Sequence, residues 1–285
     1  MFLASGLFPA SWVGNTPFQL PFGVELVVYV VATLVCLAIL ATVLRNTRAD
    51  RRNGRAGSGS ASRWTTQDLL VVAIIGVLLE VYDNLIGDQF VTPLTQGIPF
   101  AHAFALNDLP YLFLLMVGIA IIRKPGATTA LVFLNFLLMQ LLYGSGESSP
   151  LWWPYGLMQG VFVDLYLLLR RGRVFSSSGS GAVVEGFVMG ALRAVPAVVV
   201  ASAVFQPLLN GATRTGTYIL LYGVCNLLGN GAAAAISAPL AIRVARTVNP
   251  AVGYGEATAP NLVGTTHAEH NLRGTEPIDV EEARS

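Results

Sequence analysis

The chain has 285 residues, 54% of them hydrophobic and only 12% charged, with a formal net charge of +1. A soluble domain carries about 25% charged residues, so this composition excludes an ordinary water-soluble globule and points to an integral membrane protein. It also excludes a nucleic-acid binder, which needs a clustered basic face, because the basic residues here are spread over loops and helix ends.

Crossing a bilayer takes about 20 mostly apolar residues. Seven apolar runs are read in order: roughly 24–45, 67–88, 104–122, 126–144, 154–169, 183–207 and 215–242. The first 23 residues contain no Lys or Arg, so they lack the positive start of a signal peptide, and the first run is taken as a retained helix. The predicted architecture is an all-α integral membrane protein, with one extra N-terminal transmembrane helix in front of a six-helix bundle. Residues 1–45 form the N-terminus and extra helix, and 46–66 an Arg/Gly/Ser-rich cytoplasmic linker. Residues 67–247 are expected to form the six-helix membrane domain, and 248–285 a polar, disordered cytoplasmic tail.

Orientation follows from the basic residues. Arg45, Arg48, Arg51, Arg52, Arg55 and Arg63 separate the first two runs, and Arg123 and Lys124 close the third. Arg170, Arg171 and Arg173 follow the fifth, and Arg243 and Arg246 lie at the end of the seventh. The alternate loops hold only Arg214. A multi-pass protein of the plasma membrane is expected, N-terminus outside and C-terminus cytoplasmic.

Ionisable and amide residues inside a span are costly and mark function. Glu80, Asp83 and Asn84 fall in the outer half of the second run, and Asn107 and Asp108 open the third. Gln140 lies outward in the fourth; Trp152, Trp153, Tyr155 and Gln159 lead the fifth; Tyr218, Tyr222 and Asn226 begin the seventh. This common level predicts an outward-open pocket lined by Glu80, Asp83, Asn84, Asp108, Gln140, Trp152, Trp153, Tyr155, Gln159, Tyr222 and Asn226. PLWWPYGLMQG (150–160) reads either as an interfacial anchor or as a pocket wall, and both can hold together. The deeper Arg193 needs a partner; a structural pair with Asp164 or Glu80 is favoured over ligand contact. His102 is read as a loop residue, and Cys36 and Cys225 as ordinary buried thiols. Gly186 and Gly190 form a GxxxG, and GNGAAAAISA (229–238) a smooth face, suited to packing within the bundle or to docking another subunit.

No P-loop, HExxH or GxSxG triad context is present, so no catalytic residue, metal ligand or cofactor is assigned and the chain is not expected to be an enzyme.

The segment SGESSPLWWPYGLMQGVFVDLYLLLRR (145–171) resembles the PYG…QG…(E/D) helix of the S components of energy-coupling factor transporters. It is closest to the S components for thiamine or its hydroxymethylpyrimidine precursor, a family sometimes labelled as cobalt-transport permeases. The resemblance covers about 67–245 and leaves the first helix outside it. It implies a substrate-capturing subunit that works with a transmembrane coupling (T) protein and two cytoplasmic ABC ATPase subunits. The family meets its coupling protein through alanine-spaced small residues on the first core helix; VVAIIGVLLE offers Ala73 and Gly76 and departs from that spacing. A flat aminopyrimidine can stack on Trp152 or Trp153, at about 1–3 kcal/mol by analogy with base stacking, while its amidine-like edge pairs with Glu80 or Asp83. Another vitamin, a cobalt or nickel ion, or a membrane scaffold without a ligand are the alternatives. The metal is the poorer of them, since such ions want several His, Cys or carboxylate donors.

Overall fold

A computed structural model describes Trp12 and residues 14–52, 64–95, 98, 100–142, 150–171, 173–175 and 179–248. Most of these are helical. Helix α1 is Phe22–Arg52; α2 is Thr66–Glu80, continued by widened π-type turns over Val81–Val91 and a last turn to Thr95. Then come α3 (Leu109–Ile122), α4 (Ala127–Leu142), α5 (Trp153–Leu169), α6 (Ser180–Val200, prolonged through Ala201–Phe205 and Gln206–Asn210) and α7 (Gly216–Val248). Two short strands, β1 (Pro17–Phe18) and β2 (Arg214–Thr215), pair antiparallel. Helix α1 runs past the expected end near residue 45 to Arg52, so the first part of the predicted linker is helical. Residues 53–63 of the linker, 145–149 of the quoted motif and the tail from 249 lie outside the described residues.

Four stretches are long and apolar enough to cross a membrane: Phe22–Arg45, Thr66–Thr95, Ser180–Asn210 and Gly216–Val248. Leu106–Ile122 and Ala127–Leu142 are shorter apolar helices. The outward faces carry rows of exposed Leu, Ile and Val, as at Leu70, Ile74 and Leu78 on α2 and Leu220, Val224 and Leu228 on α7. Apolar rows of that extent belong against an apolar surrounding rather than water.

Local sequence explains most helix ends. Thr65 and Asp68 form a capping box at the start of α2, each satisfying a backbone N–H that the first turn leaves orphaned. Pro110 and Pro154 sit in the first turns of α3 and α5, where a missing N–H costs nothing. Gly211 ends the α6 extension at φ +66, the left-handed cap that glycine adopts without a Cβ clash. The start of α4 is capped by another helix. Asp164 of α5 accepts from Thr128 N (3.1 Å), Thr129 N (2.7 Å) and Thr129 Oγ1 (2.5 Å).

Packed pairs close a ring in the order α6, α7, α3, α2, α4, α5 and back to α6, with α3 also touching α4. Helix α3 is buried all round, with Leu112, Leu115, Met116, Ile119 and Ala120 at 0% exposure. Helix α1 lies outside the ring against α5 and the far end of α6.

Glycines set the closest crossings. A Cβ on Gly190 would lie 2.3 Å from Asn230 O, one on Gly186 2.6 Å from Ala234 O, and one on Gly160 2.4 Å from Thr129 Cα. The GxxxG of α6 and the small-residue face of α7 therefore pack on each other. Of the two uses read for these surfaces, the fold shows packing within the bundle.

Candidate ligand site

A cavity of about 160 Å³ opens where α3, α5 and α7 begin and the stretch Arg193–Val198 of α6 passes them. The sequence brings side chains to it from three helical faces. Tyr155 and Gln159 are four residues apart on α5, and Tyr222, Asn226 and Asn230 follow one line on α7; residues at that spacing share a helix face. Arg193, Ala194 and Ala197 come from α6.

The remaining wall is the loop Phe100–Asp108, which supplies His102, Ala105, Asn107 and Asp108. Phe100 (φ 62) and Ala105 (φ 51) are left-handed, a conformation that costs a non-glycine residue roughly 1–3 kcal/mol and persists only where neighbours enforce it. Three contacts do so. Asn226 Nδ2 donates to Ala103 O (3.0 Å), and the Tyr82 hydroxyl donates to Asn107 O. Gly229 lets the loop backbone touch α7, since a Cβ there would lie 1.8 Å from Phe104 O.

Arg193 is the electrostatic centre. It is 8% exposed. Its Nη1 donates to Asn230 Oδ1 at 2.9 Å and reaches Asp108 Oδ2 at 3.5 Å, and the guanidinium lies 4.4 Å over the Tyr111 ring. Asn230 Nδ2 in turn donates to Asn226 O and Oδ1, both at 3.2 Å, so a polar chain runs from Arg193 to the loop. Asp83 lies within Coulombic range of Arg193, Tyr111 and Tyr155. The guanidinium thus has one carboxylate, Asp108, in direct reach, and Asp83 acts on it through space.

The satisfaction of this cluster is incomplete. Arg193 Nε and Asn107 Oδ1 are buried with no hydrogen-bond partner among the described residues. A 3.5 Å contact is at the weak limit of a hydrogen bond, and the Asp108 side chain stays 30% exposed. Such under-satisfied polar groups around a cavity fit a site whose remaining partners come from a ligand or water.

Of the residues expected from sequence to line a pocket, the fold brings Asp108, Tyr155, Gln159, Tyr222 and Asn226 together in this wall. Asp83 is absent from the wall and acts on Arg193, Tyr111 and Tyr155 through space. Glu80 and Asn84 bond each other at 2.6 Å, with Glu80 3% exposed and one oxygen unpartnered, and neither lines the cavity. Gln140 is also absent from the wall; its Nε2 is buried without a partner.

Trp152 and Trp153 pack instead into a separate apolar cluster with α1 and the end of α6. Trp152 meets Phe205 edge-on at 5.6 Å and Tyr155 at 5.8 Å, while Tyr29 of α1 lies 4.9 Å from Phe205 and donates to Leu151 O at 2.7 Å. The two tryptophans belong to the cluster against which α1 packs, and Trp152 also meets the wall residue Tyr155.

The expected pairing of Arg193 with Asp164 or Glu80 is corrected: Asp164 is consumed in capping α4, and the partners are Asn230 and Asp108. Sequence reasoning passed over Arg193, Asn230 and His102 as wall residues. The line Tyr222, Asn226, Asn230 at four-residue spacing was the available signal for Asn230. Among the described residues no three His, Cys, Asp or Glu side chains gather as a metal cluster. No protein-family model, curated protein or solved structure matches the chain.

Proposed function

We propose that the chain is the substrate-binding S component of an energy-coupling factor importer, capturing a thiamine-type small molecule from outside the plasma membrane. The observation that carries this reading is the cavity. A closed ring of helices keeps one polar chamber at one end, and Tyr155 and Gln159 of the PYG…QG segment line it. Among the described residues Arg123, Lys124, Arg170 and Arg243 lie at the opposite ends of the same helices. Under the positive-inside rule the cavity therefore faces outward.

The wall supports an aminopyrimidine. Tyr155 and Tyr222 offer ring faces, and Asp108 offers an acceptor for an exocyclic amine or protonated ring nitrogen. Amide groups of Asn107, Gln159 and Asn226 complete a donor and acceptor rim. A volume of about 160 Å³ is below the roughly 300–1,000 Å³ of pockets for drug-sized ligands. Of the two candidates, the single-ring hydroxymethylpyrimidine fits better than the two-ring thiamine. The chain itself holds no nucleotide-binding motif, so ATP hydrolysis falls to separate ABC subunits reached through a coupling protein.

Titration of the purified full-length protein with hydroxymethylpyrimidine, thiamine and Co²⁺, followed by calorimetry, tests the reading. Saturable heat with the pyrimidine and a weaker response to thiamine support it. Binding of Co²⁺ alone, or of none of the three, overturns it.

A further inference from the structure

Helix α1 lies outside the ring, and the residues before it reach toward the cavity end. Just before α1, Trp12 touches the wall loop, and Pro17 and Phe18 touch the start of α7. The Trp12 ring stacks on Phe100 (6.2 Å, 19°), the first residue of the strained wall loop. Pro17 and Phe18 pair with Thr215 and Arg214, immediately before α7. From these two points the contacts run inward. Phe100 packs into a small cluster with Tyr218 and Tyr222. Arg214 lies 5.5 Å over Tyr218, and Tyr218 stacks on Tyr222 at 5.6 Å and 22°. Tyr222 lines the cavity.

We propose that Trp12 and the strand Pro17–Phe18 act as a latch that holds the loop Phe100–Asp108 against α7 and must release for a ligand to enter or leave. Two features make it a latch rather than a fixed wall. Its hold is slight: the ladder is two residues long, and Trp12 and Phe18 are 54% and 39% exposed, which places it among the elements that open at low cost. Its base is firm, because α1 is pinned to α5 and α6 by Tyr29, Phe205 and Trp152. A weak clasp on a fixed post can open and reclose without detaching.

The latch rests on the cavity being a ligand site, and its test includes a readout that needs no ligand. In a Cys36→Ser, Cys225→Ser background, Ala197→Cys places a thiol in the cavity wall at a position 1% exposed, where reagent reaches it only when the cavity opens. Phe18→Cys with Arg214→Cys, facing residues in the ladder, locks the latch when oxidised and frees it when reduced. Methanethiosulfonate modification of residue 197, followed by peptide mass spectrometry, should slow at least fivefold on locking. It should quicken at least fivefold when residues 1–18 are deleted. With hydroxymethylpyrimidine as probe, locking should slow association and dissociation together and leave Kd within about twofold. Equal modification rates in the locked, reduced and deleted forms overturn the latch. Rates at residue 197 that follow the latch in a protein that binds neither pyrimidine nor thiamine support the latch and sink the proposed substrate. If the deletion does not fold, the oxidised and reduced forms of one protein still decide.

Discussion

The two ends of the helical ring are built on opposite principles. At the basic end, charges meet at close range: Lys124 to Asp68 at 2.5 Å and Arg170 to Glu185 at 2.7 Å. Glu185 also accepts from Phe175 N, and Arg123 donates to Phe175 O at 2.9 Å, so the α5–α6 connection is tied to the α3–α4 turn. Asp164 adds a buried cap on α4. At the cavity end the central guanidinium has one good neutral partner, one long contact with a carboxylate and one orphaned N–H. Buried polar networks rigidify when complete and invite a further partner when partial. The basic end is closed by its own contacts, and the cavity end keeps free bonding capacity for the ligand proposed above.

Substitutions break that contrast in graded ways. Asp164→Ala should have the largest effect on folding. It orphans up to three donors at about 1–3 kcal/mol each, a loss of roughly 3–5 kcal/mol visible as a fall in Tm in detergent. The folded fraction should bind hydroxymethylpyrimidine with unchanged Kd; a weakened Kd in that fraction would join Asp164 to the site.

Gly229→Ala should act next, at the other end. The new methyl meets Phe104 O and lifts the wall loop, so affinity should fall at least about tenfold while Tm drops by the few degrees expected for about 1–3 kcal/mol of overpacking. Normal affinity in this variant would mean the loop is not part of the site.

Asp108→Asn separates binding from folding. Losing a charge-assisted hydrogen bond of about 1.5–3 kcal/mol should weaken calorimetric affinity roughly 10- to 150-fold. Tm should barely move, because the Arg193–Asp108 contact is long. A large fall in Tm would show that the pair is structural after all. Trp152→Phe should be the mildest. The ring stays apolar and an unpartnered indole N–H is removed, so affinity should change less than threefold; a loss as large as that of Asp108→Asn would return the tryptophan to the ligand.

Much of the fold was legible because each helix is a local event. Apolar runs long enough to need their backbone bonded internally become helices, and the seven runs read from sequence all carry one among the described residues. Ends followed from Thr65 with Asp68, from Pro110 and Pro154, and from Gly211. The length of α1 was misjudged because RNTRADRR is polar, and polarity hides a helix that simply continues out of the apolar zone.

The site was legible only in its level along the bundle. Depth is a matter of counting residues from a span's end, so Asp108, Tyr155, Gln159, Tyr222 and Asn226 were placed at one height from sequence alone. Direction around each helix axis was not. Glu80, Gln140 and Trp152 share roughly that height but are absent from the cavity wall, and only the packing of α1, α2, α4 and α5 decided it.

The sequence by itself determined an apolar helical chain with most of its basic loop residues at one level and a band of polar side chains at the other. Tertiary structure alone decided that Arg193 meets Asn230 and Asp108, that Asp164 caps α4, and that the tryptophans join the cluster against which α1 packs instead of lining the cavity. The physical reason is range. Helix formation and capping act over four residues, whereas Asp164 and Thr128, or Arg193 and Asp108, are dozens of residues apart and meet only when the ring closes.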